Sequence, residues 1–316
     1  MYREEIKVLD CTIRDGGLIN NHDFDLRFVR EVYKALSESG VDYIELGYKN
    51  SKKLFSSKEY GLWKFCEDDV IHKVIDGVES KAKISVMVDI GRVDMEDVKP
   101  AKDSPVDMIR VASYVKDIDK AIVMTQEFDK KGYETTINIM AVSRDQGPAL
   151  VEAFHQTEKE CPAKAIYIVD SFGYFYQESV EELIKQAKDI IKTKEIGYHG
   201  HNNQQLAFSN TIEAIIHGTN FLDATIYGIG RAAGNCPLEL LIGFLKNPKF
   251  DIRPILDVIS KEFIPLRDKI EWGYVIPYAI AGMLNEHPRA AMALRGSDKK
   301  ENYREFYESL VDTDVE

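Results

Sequence analysis

KVLDCTIRDGG, residues 7–17, is the stretch from which the fold is read. Residues 7–12 crowd apolar and β-branched side chains together as a strand does, and Gly16 and Gly17 end the run. Arg14 and Asp15 therefore stand at the C-terminal tip of a strand, where the glycines make the backbone permissive. Moving outward, residues 25–40 space Phe28, Val32 and Leu36 helically before Gly40, and residues 41–48 form a second apolar strand. Further strands are expected over residues 83–90, 108–113, 135–142, 165–171, 195–199 and 221–227. Helical stretches over 116–131, 147–160, 179–192 and 203–217 fill gaps between them.

Short apolar strands alternating with helices require a parallel sheet covered on both faces. Eight of them fit a closed (β/α)8 TIM barrel better than an open doubly wound sheet. No Gly/Ser/Pro-rich linker divides residues 1–245, which are read as the barrel domain. Residues 246–316 are read as a C-terminal helical extension packed on it, with helices over 252–272, 277–286 and the charged tail 298–316.

Composition narrows the function classes. The hydrophobic fraction of 44% and charged fraction of 30% are those of a globular protein. A net charge of -12 argues against a nucleic-acid surface. No run reaches the ~18–20 apolar residues of a membrane span, so no membrane partner is expected. Cys11, Cys66, Cys161 and Cys236 have no paired spacing, which suits a reducing cytoplasm rather than a disulfide framework.

Active sites of such barrels lie at the C-terminal ends of the strands, and polar residues gather there. Strand two carries Glu45, strand four Arg110, strand five Asn138, and strand six ends in Asp170-Ser171. Strand seven ends in His199-Gly200-His201, and Asn235 follows strand eight in a glycine-containing loop. Residues i and i+2 of a strand share a face, so both imidazoles can converge on one ion. Two imidazoles and a carboxylate form a divalent-metal site with positions left open for substrate.

These residues carry a resemblance. The chain resembles the HMG-CoA lyase-like (DRE-TIM metallolyase) superfamily, and within it the 4-hydroxy-2-oxovalerate aldolase-like proteins. DCTIRDGG (10–17) matches the D-x-T-x-R-D-G signature, GYHGHNN (197–203) the H-x-H metal motif, and AAGNCPLE (232–239) the Gly-Asn segment. The resemblance implies metal ligation by Asp15, His199 and His201, with Asn235 as a further ligand, and a catalytic Arg14. It implies a lyase forming or cleaving a C–C bond beside a 2-oxo acid, acting on that acid and an aldehyde. The ion expected is Mn²⁺ or Mg²⁺, with Co²⁺ or Zn²⁺ as alternatives. A homo-oligomer is the expected assembly. Residues after Glu271 do not resemble the segment by which those aldolases contact acetaldehyde dehydrogenase, so that partner is not expected.

One position departs from the pattern. The aldolases place a histidine three residues after the metal-binding aspartate, where this chain has Leu18. The cysteine of the acyl-CoA lyases is also missing from the loop after strand eight. His22, Tyr227 and Tyr48 are the candidates for proton transfer, and Glu45, Arg110, Asn138 and Ser171 the candidates for binding substrate. Two other readings stay open: a Claisen-type acyltransferase of the same superfamily, and a non-catalytic metal- or ligand-binding barrel. Finally, residues 49–69 are long for a barrel loop and carry Lys49, Lys52, Lys53 and Lys58 with Tyr60 and Trp63, the composition of a lid that attracts an anion.

Overall fold

The computed structural model describes residues 3–311. Eight parallel strands close a barrel in sequence order: β1 Lys7–Asp10, β2 Tyr43–Tyr48, β3 Lys83–Asp89, β4 Met108–Ser113, β5 Glu134–Ile139, β6 Ala165–Asp170, β7 Glu195–Gly200 and β8 Phe221–Ala224. Closure is made by β1 against β8, with Leu9 opposite Asp223 and Asp10 opposite Ala224.

Alternation along each strand sorts the side chains. Val8, Ile44 and Val86 face outward and join one large core with Val32 and Leu36 of the helix Leu26–Ser39. Burying each such side chain contributes roughly 1.5–3 kcal/mol before entropy is counted. Leu9, Tyr43, Met108, Ala165, Tyr167 and Phe221 face inward and plug the barrel. One step further along the strands, the inward positions become polar: Glu45, Arg110 and Asp223 are fully buried there. The plug is therefore the floor on which the polar cluster rests.

Several boundaries differ from the sequence reading, each for a local reason. β1 stops at Asp10, and Thr12–Gly16 is a turn of helix rather than strand end. Asp10 causes this: its carboxylate accepts from the Thr12 amide at 3.0 Å and the Thr12 hydroxyl at 2.6 Å, drawing the chain out of the sheet. β8 ends at Ala224, after which Thr12 Oγ1 accepts from the Ile226 amide and ties the two strand ends together. The helix expected over 252–272 is broken into Arg253–Val258, a π turn Ile259–Phe263, and Ile264–Arg267. Pro265, which cannot donate to the residue one turn back, follows the wide turn. A helix at Asp68–Ile75 between β2 and β3 was not expected from the sequence, and Ala101–Asp103 supplies only a short 3₁₀ turn between β3 and β4. The tail helix runs Tyr303–Val311, and residues 312–316 of the expected segment lie outside the described residues. No helix among the described residues is long and apolar enough to cross a membrane.

Candidate metal centre

Ligating atoms of Asp15, His199 and His201 all lie within 4.8 Å of one another, and the three residues are buried. Asp15 arrives from the helical turn that Asp10 initiates, and the imidazoles from the tip of β7 and the residue beyond it. Their rings meet edge to face at 5.2 Å between centroids. The loop after β8 closes over them: the Arg231 amide donates to Asp15 Oδ1 at 2.9 Å, and His201 bridges Asn235. Gly230 makes this approach feasible, because a Cβ there would stand 2.6 Å from Asp15 Oδ1 and 2.1 Å from Asn235 Nδ2.

Asn235 Oδ1 and His201 Nδ1 at this point lack hydrogen-bond partners among the described residues. Asn235 donates through Nδ2 to the Ile229 carbonyl at 3.1 Å, which leaves its buried Oδ1 without a donor. His201 Nδ1 is likewise buried and unpartnered. Leaving such atoms unmatched costs about 1–3 kcal/mol each. An oxygen and an imidazole nitrogen orphaned beside a carboxylate and a second imidazole are the donor set of a divalent cation, so these residues fit the metal.

The electrostatics agree. Burial would raise the Asp15 carboxyl, but Arg14, His201, His199 and Arg231 reverse that and hold it well below the usual carboxylate range. Burial lowers His201 to about 3, keeping the ring neutral with a lone pair available. His199 is set by a residue the sequence reading missed. Its Nδ1–H donates to Asp223 Oδ2 at 2.9 Å, which fixes the tautomer and leaves the Nε2 lone pair toward Asp15, 3.9 Å away. Asp223 is two residues after the inward-facing Phe221, so β8 alternation alone could have placed it in the barrel.

Below these residues runs a buried chain of charges. Arg14 Nε donates to Glu45 at 2.7 Å and its Nη1 to Asp15. Arg110 donates to the same Glu45 oxygen at 3.1 Å and to Asp223 at 2.7 Å, with its guanidinium stacked 4.4 Å from the Tyr167 ring centroid. Asp15, Arg14, Glu45, Arg110, Asp223 and His199 are thus joined in one sequence of contacts. Glu45 and Arg110, expected to bind substrate, pair with each other beneath the site, with Glu45 Oε1 left without a partner among the described residues. Arg14 keeps one edge free: among the described residues nothing accepts from Nη2.

Other expected residues fall out differently. Ser171 Oγ accepts from the Ala141 amide and its carbonyl from Arg231, so it braces loops. Asn138 is buried within β5 and accepts from Thr136. Tyr227 is not brought to the cluster; its hydroxyl meets Arg267 and its ring packs on Trp272. His22 is brought close. It is buried against Gly17, where a Cβ would meet its Nδ1 at 2.2 Å, and it meets the Tyr48 ring at 5.3 Å. Burial, then Lys64 and Arg14, lower His22 to about 3, while Asp15 acts in the opposite direction. Leu18 packs with Tyr48, Met87, Ala112 and Met140 as an apolar wall over β2 to β5.

Two other clusters do not match this one. Cys11, His199 and Asp223 are close, but burial holds the thiol protonated and His199 Nδ1 is already given to Asp223. Glu181, Glu213 and His217 lie half-buried on outer helices, with Lys185 on Glu181 and Glu213 on His217.

Comparisons with known proteins agree on the family. The HMGL-like family model matches residues 5–260. A 4-hydroxy-2-oxovalerate aldolase of Thermus thermophilus is 29% identical over 287 residues, covering 86% of this chain and 81% of that protein. An oxaloacetate decarboxylase of Mycobacterium tuberculosis is 28% identical over 248 residues, covering 78% and 71%. Among solved structures, the N-terminal domain of a candidate aldolase from Bacteroides vulgatus superimposes with a TM-score of 0.79 at 31% identity, covering 95% of this chain and 99% of that one.

Proposed function

This chain belongs to the HMGL-like family, and on that premise we propose that it is a divalent-metal-dependent lyase that breaks or forms a C–C bond beside a 2-oxo acid. The observation that carries the reading is the convergence of Asp15, His199 and His201 with the orphaned Asn235 oxygen at the strand tips. Asp15, His199, His201 and Asn235 would hold a divalent ion there, which would supply Lewis-acid stabilisation to a substrate oxygen that gains charge. Arg14 acts on the same oxygen: with Nε and Nη1 anchored, Nη2 is a preorganised donor of the kind worth about 3–4 kcal/mol of barrier. Asp223 keeps His199 in one tautomer and one orientation.

In aldol cleavage the C4 hydroxyl proton leaves as the C3–C4 pair stays with the 2-oxo acid fragment, and that fragment later takes a proton at C3. His22 is the imidazole outside the proposed metal ligands that feels both Arg14 and Asp15 electrostatically, and we assign it the proton transfer that Leu18 cannot perform. Its lowered basicity makes it a weak acceptor, which favours a second reading. In decarboxylation of a 2-oxo acid bearing a 3-carboxylate, CO₂ departs without a base and only the return of a proton to C3 is needed.

Mn²⁺-loaded protein given 4-hydroxy-2-oxo acids and oxaloacetate, with pyruvate release followed, separates the two. Exchange of the pyruvate methyl protons with deuterated solvent reports C3 chemistry common to both. The absence of both exchange and turnover in protein holding one ion per chain would overturn the proposal.

A further inference from the structure

The lysines that mark residues 49–69 as an anion-attracting lid are mostly engaged. Lys49 pairs with Asp68 at 2.9 Å, Lys52 with Glu67 at 2.7 Å, and Lys53 with Asp94. Lys58 is unpaired among the described residues but exposed, whereas the buried exception sits at the end of the same connection. Lys64 is 7% exposed and, among the described residues, has no carboxylate within ion-pair distance and no hydrogen bond from Nζ. Its amine lies instead amid three rings: Phe55 at 4.5 Å, Tyr60 at 5.0 Å and Tyr48 at 5.2 Å to the centroids. Aromatic faces offset part of the cost of burying an ammonium, but they do not replace an anion.

Its surroundings explain why no internal partner serves. Asp89 is the carboxylate acting most on Lys64, and it is already paired with Arg92 at 3.1 Å. Burial lowers the Lys64 amine, as an unpaired cation requires. Yet the amine is not sealed from solvent as the orphaned Asn235 oxygen is. Position is the second observation. Tyr48, one ring of the cage, also forms the apolar wall with Leu18 and Met87 and meets His22 edge-on. Lys64 and Arg14 both act electrostatically on His22, the ring that meets Tyr48.

We infer that Lys64 is a specificity-determining residue that receives a second anionic group, a carboxylate or a phosphate, at the end of the 2-oxo acid substrate remote from the metal. The inference rests on the lyase reading above and deepens it. The 2-oxo acid end belongs to Asp15, His199, His201 and Arg14. The apolar wall of Leu18, Tyr48 and Met87 spans the uncharged middle, and the Lys64 amine closes the far end. Placing an anion there gives the amine its missing partner and expels water from the cage, so charge recognition is strengthened by the low local dielectric.

The test compares 2-oxoglutarate with 2-oxopentanoate, which has the same chain length and no terminal charge, on Mn²⁺-loaded protein by calorimetry. A 2-oxo acid ending in a phosphonate forms the second arm and tells carboxylate from phosphate recognition. Wild type is expected to bind one of the anion-ended acids at least tenfold more tightly than 2-oxopentanoate. Lys64→Met should abolish that preference, and Lys64→Arg should keep most of it. Equal affinity of wild type for charged and uncharged acids, or the same preference in Lys64→Met, overturns the inference and leaves the lyase reading intact. Failure of 2-oxopentanoate, pyruvate and both anion-ended acids to bind loaded protein overturns both.

Discussion

The two halves of the barrel mouth are built on opposite principles. On the side of β1, β7 and β8, braced from beneath by Glu45 of β2 and Arg110 of β4, charged groups hold one another: Asp223 orients His199, Arg110 holds Asp223 and Glu45, and Arg14 joins Glu45 to Asp15. On the side of β2 to β5, the wall is apolar, made by Tyr48, Met87, Ala112, Leu18 and Met140, with the Lys64 amine against the Tyr48 ring and, among the described residues, without a carboxylate at ion-pair distance. A cross-linked polar half tolerates little displacement, since each group's loss leaves another buried charge unpaired. The apolar half can change residue by residue at modest cost. The first half is suited to chemistry common to many substrates, and the second to choosing among them.

Substitutions break or sharpen this contrast in graded steps. The largest effect is expected from His201→Ala, which removes one of the three proposed ligands: turnover should vanish within assay limits while far-UV circular dichroism is retained. Arg14→Lys follows. It keeps the charge but cannot hold Glu45 and Asp15 while presenting a third donor, so kcat should fall by roughly a hundredfold, the loss expected for one oxyanion donor. A fall confined to KM would place Arg14 in ground-state binding instead. Asp223→Asn should weaken metal affinity by about 10–100-fold, because the amide no longer enforces the His199 tautomer; metal titration against a competing chelator measures it.

Leu18→His lies on the apolar half. If His22 is a poor substitute for a base at that position, turnover on short 4-hydroxy-2-oxo acids should rise several-fold with metal content unchanged. An unaltered rate would show that Leu18 serves the wall and not a vacated catalytic role.

The smallest effect concerns stability beneath the site. Burial, opposed by the two Thr12 hydrogen bonds and helped by Glu45 and Asp223, pushes Asp10 from 3.8 up to about 7. A carboxyl raised on folding favours the protonated native state. Its contribution is fully present below pH ~4 and is lost as pH rises through 7, at no more than about 1.4 kcal/mol per pH unit. Asp10→Asn should therefore flatten the pH dependence of urea midpoints across that window. A slope as steep as in wild type would assign the titration to another group.

How far the sequence revealed this molecule depends on whether a feature is periodic or relational. The barrel is periodic: apolar runs such as 108–113 and 165–170 recur with helices between them, and all eight strands are where the runs are. His199 and His201 were legible as i and i+2 neighbours, and Asp15 through its place at a strand tip. The pairing of Arg110 with Glu45 and Asp223 was not, because it joins β4 to β2 and β8 through the barrel interior. Substrate-binding roles were assigned to Glu45 and Arg110 from their strand positions alone, without the partners that occupy them. Lys64 was hidden among the lysines of its loop, since only spatial neighbours reveal which of them is buried without an anion among the described residues. The helical turn at Thr12–Gly16 was missed because a side chain, Asp10, outcompetes the sheet for the Thr12 amide.

The most direct test of the metal centre is the stoichiometry of Mn²⁺ binding to wild type, Asp15→Asn and His217→Ala, with melting temperatures recorded on the same samples. One ion per chain is expected in wild type and in His217→Ala, whose half-buried cluster lies on outer helices, and none at the same free Mn²⁺ in a folded Asp15→Asn. Retention of the ion by Asp15→Asn, or its loss from His217→Ala, would place the metal elsewhere and contradict the assignment.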